Sequence, residues 1–446
     1  MKRFASAYNS SKKRTGAQES NNEREKKKMK KLLSILLCVL LVCGTFCAAI
    51  AEETEIVFCV NIQPQLPLEF WQDIADRYMA AHPDVKVRID GNPSSNVTLF
   101  EYQKTLLATD QFPDVMVMQN PADFVPSGAL LPFEDGELDY LIDPEVGKIG
   151  GKQYVANYKK QIIGVFYNKD MFAANGIEVP QTWDALVEAS EKLLAAGIQP
   201  FSIGMKDGWP QAQLANMFAG TDLLAKDPHW GAKRNANEVK FNNEDLKKGM
   251  EKYQTICQKY AGDNLNGITY TQMLELFFTG KAAMLPIGSW VNAEVAKGEQ
   301  DFEVGWFPIP GDDNANVVSV FVNEGLSIGA NTKYPEVCKD FIHFFFTDKE
   351  LYGTFLASEQ LFSTTKETVE YEMIPLRKNM EEQIATMQEV EGFESMTGDD
   401  AFLPGLKDFF TNKTTQNIAN GADVAAELDA MDAEWEIANE ALEDAK

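Results

Sequence analysis

The chain has 446 residues, more than one hydrophobic core normally serves, so two domains are expected. Hydrophobic residues at 45% and charged residues at 24% describe a folded globular chain and exclude extended disorder. A net charge of −26 makes nucleic acid and anionic membrane surfaces poor partners.

Residues 1 to 28 are polar and basic, and from Met29 a charged start leads into an apolar run that ends in Ala49-Ile50-Ala51. This pattern predicts a secretory signal cut after Ala51, with Met29 as the expected start and an extracytoplasmic location for the product. Leu32 to Ala51 carry no charge, so an uncut membrane anchor is the rival reading; the small-residue ending favours cleavage. Residues 1–51 hold 11 Lys and Arg against 3 Asp and Glu, so their removal takes the net charge from −26 to −34. Cys38, Cys43 and Cys47 leave with the signal. Cys59, Cys257 and Cys338 remain, an odd and widely spaced set that is neither a disulfide framework nor a metal site, and buried thiols are expected.

Glu55 to Val60 reads as a strand followed by the loop from Asn61 to Gln65. Trp71, Ile74, Ala75 and Tyr78 then fall on one helical face. Val85, Val87 and Ile89 alternate as a strand, a helix is predicted around Leu99 to Ala108, and "FPDVMVMQNP" gives a buried strand closed by Gln119-Asn120-Pro121. Strand alternating with helix predicts parallel sheet. A second series opens with Ile162 to Tyr167. A helix follows with Thr182 as N-cap, Gly197 beyond its end and an apolar face of Trp183, Leu186, Val187, Ser190 and Leu194. Phe201 to Gly204 is a strand, and the helix from Glu244 to Tyr260 should bury Leu246, Met250, Tyr253 and Cys257. In "GKAAMLPIGSW" the apolar run is a strand, Pro286 marks its edge or end, and Trp290 stands at its exit. "DFEVGWFPIPG", "VVSVFV" and "GLSIGANT" are further strands, and the last hundred residues are mostly helical.

The motifs for phosphate cradling, dinucleotide binding, zinc proteolysis and the serine nucleophile elbow are absent from the mature segment, so neither cofactor nor metal is expected. The positive signal is a set of aromatic and planar polar residues at predicted strand ends. A sugar presents apolar C–H faces and a rim of hydroxyls, so its site needs aromatic plates beside amides and carboxylates. Trp290, Trp209, Asn61, Gln119, Asn120, Asn323 and Glu324 fit that requirement. Each has a plainer alternative: core packing for the tryptophans, and turn formation for Asn61, Gln119 and Asn120. Asp114 is a further candidate, with bracing of its own loop as the alternative.

The ordered stretches "FWQDIADRYMAAHPDVKVRI", "LLATDQFPDVMVM", "GGKQYVANY", "IIGVFYNKDMFAANGIEVPQTWDAL", "LFFTGKAAMLPIGSW", "VGWFPIPG" and "GLSIGANTKYPEVCKDFIHFFF" resemble the family 1 extracellular solute-binding proteins of ABC transporters. The resemblance implies an α/β fold of two lobes, each a mostly parallel sheet flanked by helices, with ligand held between them. It implies lobe 1 over 52–160 plus 304–350 and lobe 2 over 161–303 plus 351–446, after an N-terminal extension and signal over 1–51. It also implies that Trp290 stacks on a sugar, that Asn61, Gln119 and Asn120 give polar contacts, and that Trp209 and Tyr154 border the cleft. Lipid anchoring is not expected, because Leu37, Val42 and Phe46 precede the three signal cysteines where a small residue is needed. The expected function is capture of a sugar or oligosaccharide by a monomeric, non-enzymatic receptor and its delivery to an ABC permease. A secreted glycoside hydrolase, a ligand sensor for a membrane kinase, and the same fold with a non-sugar solute are the alternatives.

Overall fold

In the computed structural model, residues 54–63, 66–92, 97–312, 316–322, 324–396 and 398–444 are described, so the expected signal segment lies outside them. Five strands come first: β1 (Thr54–Val60), β2 (Val85–Gly91), β3 (Val115–Met118), β4 (Leu130–Leu131) and β5 (Ala156–Asn157). Five more follow: β6 (Gln161–Asn168), β7 (Gln199–Phe201), β8 (Ala282–Gly288), β9 (Val304–Phe307) and β10 (Val317–Phe321). The last two are β11 (Gly325–Gly329) and β12 (Gln388–Glu391). They form two sheets, β2-β1-β3-β11-β4 with β5 on β11, and β12-β10-β6-β8-β7 with β9 on β6. From Ile56 onward, Pro83 to Lys86 apart, the described chain clusters as one compact unit that contains both sheets except the first two residues of β1 and of β2.

The sheets are mixed, which corrects the expectation of mostly parallel ones. Parallel pairs are β1 with β3, β7 with β8 and β10 with β12. By contrast β11 runs antiparallel to β3, β4 and β5, and β6 runs antiparallel to β8, β9 and β10. The reason is how the chain travels. β5 leads directly into β6 and β10 directly into β11, so β6 and β11 each enter a sheet from the end facing the other sheet and run against their neighbours.

The same pairing corrects the division into lobes. β9 and β10 belong to the second sheet because both pair with β6, so the chain returns to the first sheet at Gly325 and not at residue 304. A third crossing follows the helix Lys349–Glu359. That helix packs Phe355 against Phe70 and Tyr158 of the first lobe, so the return comes after Glu359 and not at residue 351.

Helices α1 (Leu68–Ala81), α2 (Leu99–Ala108) and α3 (Trp183–Ala195) form where periodicity and caps require them. α1 buries Trp71, Ile74, Ala75 and Tyr78. α2 starts at a capping box in which the Thr98 hydroxyl accepts from Glu101 N and the Glu101 carboxylate accepts from Thr98 N. Thr182 caps α3, and Gly197 takes φ +77° beyond its end. The buried face of α3 is Leu186, Ala189, Ser190 and Leu193, whereas Leu194 is 42% exposed, so the face is turned from the expected one. α4 (Pro210–Ala219) is buried along its whole length, and α5 (Glu244–Lys259) buries Leu246, Met250, Tyr253 and Cys257 as expected. α6 (Tyr270–Phe278) precedes β8. Pro286 lies inside β8, opposite Val165 of β6; the β7 register reaches only Met284, so the other side of Pro286 needs no ladder donor.

Candidate ligand-binding cleft

The two sheets turn corresponding ends toward each other. In the first, β1 and β3 run parallel and stop at Val60 and Met118, which delivers Asn61, Gln119 and Asn120 to that end. In the second, Phe321 pairs with Gln161 and Gly288 with Ile163, so Phe321 and Trp290 emerge at the end where the chain crosses between sheets.

Four half-buried aromatic side chains gather there. The Trp209 ring lies 4.8 Å from Tyr270 and 6.0 Å from Trp290, and Trp290 lies 6.2 Å from Phe321. Trp290 Nε1 donates to the Tyr270 hydroxyl at 3.1 Å. Local sequence sets each position. Trp209 precedes Pro210, which starts α4; Tyr270 opens α6 behind the Thr269–Gln272 capping box; and the Trp290 ring folds back over Gly288, where a Cβ would stand 1.8 Å from it. Burial pushes the Tyr270 hydroxyl well above its ordinary pKa, so the phenol stays neutral as the partner of the indole N–H. The aromatic group is apolar in body with few polar points, the composition that suits the faces of a sugar ring.

The polar candidates divide. The Asn61 backbone carbonyl accepts from Trp71 Nε1 at 3.2 Å, while its side-chain amide makes no hydrogen bond among the described residues. Gln119 Nε2 donates to Glu324 at 3.0 Å, and Asn120 Oδ1 accepts from Lys407 Nζ at 3.1 Å. Glu324 is engaged within the protein: it accepts from Gln119 and the Tyr158 hydroxyl and lies 3.3 Å from Lys159 Nζ. Asp114 is also reassigned. It stands at the far end of β3, where its carboxylate accepts from Val57 N at 2.8 Å and the Thr332 hydroxyl at 2.6 Å, so it is a brace. Tyr154 lies beside β11, its carbonyl accepting from Ser327 Oγ at 2.8 Å, and its ring is not part of the aromatic group. Asn323 lies outside the described residues.

Sequence reasoning missed Tyr270, Phe321, Lys407 and Glu394. Tyr270 and Phe321 had a signal, being a helix start and a strand end, but neither resembles a loop residue. Lys407 comes from the short helix Leu406–Phe409, hundreds of residues from its partner Asn120. Glu394 follows β12 and accepts from Gln213 Nε2 at 2.5 Å and the Thr411 hydroxyl at 3.0 Å, and burial raises its pKa. A cavity of about 570 Å³ opens between Glu145–Lys148 and the segment around Glu389 to Asp400; its lining mixes carboxylates such as Glu145 and Asp400 with apolar Leu224, Val390 and Met396. Among the described residues no group of three or more His, Cys, Asp or Glu is placed to hold a metal ion.

The family described as bacterial extracellular solute-binding protein matches residues 65–351, more than half of the chain. The chain belongs to that family. Among relatives of this solute-binding protein, the multiple sugar-binding protein of Streptococcus mutans is 27% identical over 46% of this chain and 50% of its own length. An uncharacterized ABC transporter extracellular-binding protein of Pyrococcus horikoshii is 24% identical over 79% of this chain and 82% of its own. The chain thus spans about half the length of the Streptococcus relative. Among solved structures, a chitin oligosaccharide binding protein superposes with TM-score 0.73 at 21% identity, covering 87% of this chain and all of its own. RafE in complex with raffinose gives TM-score 0.65 at 20% identity over 85% of this chain and 100% of its own. These likenesses show the two-lobed fold.

Proposed function

We propose that this solute-binding protein captures a sugar or oligosaccharide outside the cytoplasmic membrane and presents it to an ABC permease. The observation that carries the reading is the arrangement of the cleft: Trp209, Tyr270, Trp290 and Phe321 on the second lobe, and the amides of Asn61, Gln119 and Asn120 at the strand ends of the first. Aromatic plates supply area and the amides choose among hydroxyl patterns. Relatives named for binding multiple sugars, maltotriose and melibiose, raffinose and stachyose support the ligand class. Binding without turnover is supported by the state of the carboxylates at the cleft: Glu324 and Glu359 share Lys159, and Glu394 is held by Gln213 and Thr411. Ligand touching both lobes favours the closed arrangement only by its differential affinity for it.

A thermal-shift screen of the protein starting at Glu52, against mono- and oligosaccharides, amino acids, polyamines and inorganic anions, tests the reading. A saturable rise in melting temperature with one carbohydrate class is expected. A shift only with an amino acid, polyamine or anion would sink the sugar assignment and keep the fold.

A further inference from the structure

Three segments cross between the sheets, and each brings one charged side chain to a single buried point. Lys159 comes from the crossing between β5 and β6, Glu324 from that between β10 and β11, and Glu359 from the end of the helix that precedes the third. Lys159 Nζ lies 3.3 Å from Glu324 Oε1 and 3.4 Å from Glu359 Oε2. Their side chains are 6%, 12% and 6% exposed. Burial by itself would lower the Lys159 pKa, but the two carboxylates outweigh it and hold the ammonium above its ordinary value. Nearby, Lys160 and Phe362 exchange backbone hydrogen bonds of 3.0 and 3.2 Å, which fixes the first crossing against the third.

Glu324 is also the partner of Gln119. The Gln119 amide directs one N–H of Nε2 to that carboxylate, which fixes which way the amide faces and leaves Oε1, an acceptor, and the second N–H for a ligand hydroxyl; the flipped amide would set oxygen against carboxylate. We propose that Glu324 is a positioning residue for ligand capture: together with Lys159 and Glu359 it pins the three crossing segments in one register, and it ties Gln119 in the cleft to that pin. A second buried ion pair, Lys252 with Asp222 at 2.9 Å and side-chain exposures of 5% and 6%, has the same chemistry but lies wholly within the second lobe. A pin at the crossings controls the separation of the lobes; a pair inside one lobe controls only its stability.

The inference rests on the reading of the cleft as one that closes on ligand, and its test uses no ligand, so the two fail separately. Spin labels are placed on the exposed faces of α1 and α3 through Glu69→Cys and Glu188→Cys. Cys59, Cys257 and Cys338 are buried, and burial pushes their thiols up to about 12, so they stay unlabelled in the native protein. Interlobe distances are then read by double electron–electron resonance for the parent, Glu324→Gln, Glu359→Gln, Lys159→Met and Asp222→Asn. The expected result is a wider or displaced distance distribution in the first three variants, largest in Lys159→Met, with Asp222→Asn lowering the melting temperature and leaving the distances unchanged. If Lys159→Met does not fold, Glu359→Gln, which keeps one carboxylate per ammonium, carries the comparison. Parental distances in folded Glu324→Gln and Glu359→Gln overturn the proposal, as does a change in Asp222→Asn as large as theirs.

Discussion

Replacing Trp290 with alanine separates a binding plate from a packing residue. Covering a large aromatic side chain completely is favourable by about 1.5–3 kcal/mol. Trp290 is already half-buried against Tyr270, Phe321 and Trp209, so a ligand covers roughly half of that, with about 0.5–1.5 kcal/mol more for stacking geometry. The expected loss is therefore about 1.5–3 kcal/mol, roughly a 10- to 150-fold weaker Kd. Stability should fall less than for a core tryptophan, by about 1–2 kcal/mol, because the side chain is only partly buried. Isothermal titration with the carbohydrate identified in the thermal-shift screen measures the first quantity, and a chemical melt without ligand measures the second. Trp290→Phe keeps a plate and removes the Nε1 donor to Tyr270, so it should retain most of the affinity. Unchanged affinity in Trp290→Ala together with a large drop in stability would refute the reasoning and return Trp290 to the core.

Other perturbations follow from the same geometry. Gly288→Ala drives a Cβ into the Trp290 ring, and should destabilise by about 1–3 kcal/mol and weaken ligand binding as the ring is displaced, both read from a ligand-dependent melt. Lys407→Met removes the hydrogen bond to Asn120 that spans the lobes, and should weaken binding by about 1–2 kcal/mol with a larger radius of gyration in solution scattering. Glu394 has its folded pKa raised above the ordinary 4.5 by burial, so its favourable contribution is complete below that pH and is lost as pH rises through the folded value. Glu394→Gln should accordingly gain stability over the parent at pH 7 and lose that advantage at pH 4; equal melting differences at both would contradict this.

Much of the fold was legible because local rules agreed with the tertiary outcome. Trp71, Ile74, Ala75 and Tyr78 are spaced for one helical face and are buried together. Thr182 and Gly197 bound α3 as capping chemistry requires. The direction of β6 and β11 was not legible, because an apolar strand reads alike whichever way it runs and whichever sheet receives it. In the cleft, Trp209 and Trp290 were recognisable as large aromatics beside glycine and polar residues at element ends. Glu324 and Asp114 show what the sequence hides: a carboxylate near a strand end looks the same whether it is open to a ligand or accepts from Lys159 or Val57 N, as found. Lys407 was invisible, since only the folded chain brings it to Asn120.

The crossings also govern the order in which the molecule can be made. β3 ends at Met118, yet its neighbour β11 begins at Gly325, so one edge of the early sheet stays without its partner until more than two hundred further residues have been synthesised. Such distant pairing must meet its loop-closure entropy before any contact compensates it, which makes folding slow. In the interval the apolar Val115–Met118 edge is open to pairing with other chains. Truncations that stop short of Gly329 should consequently aggregate, even when they contain every residue of β1 to β5.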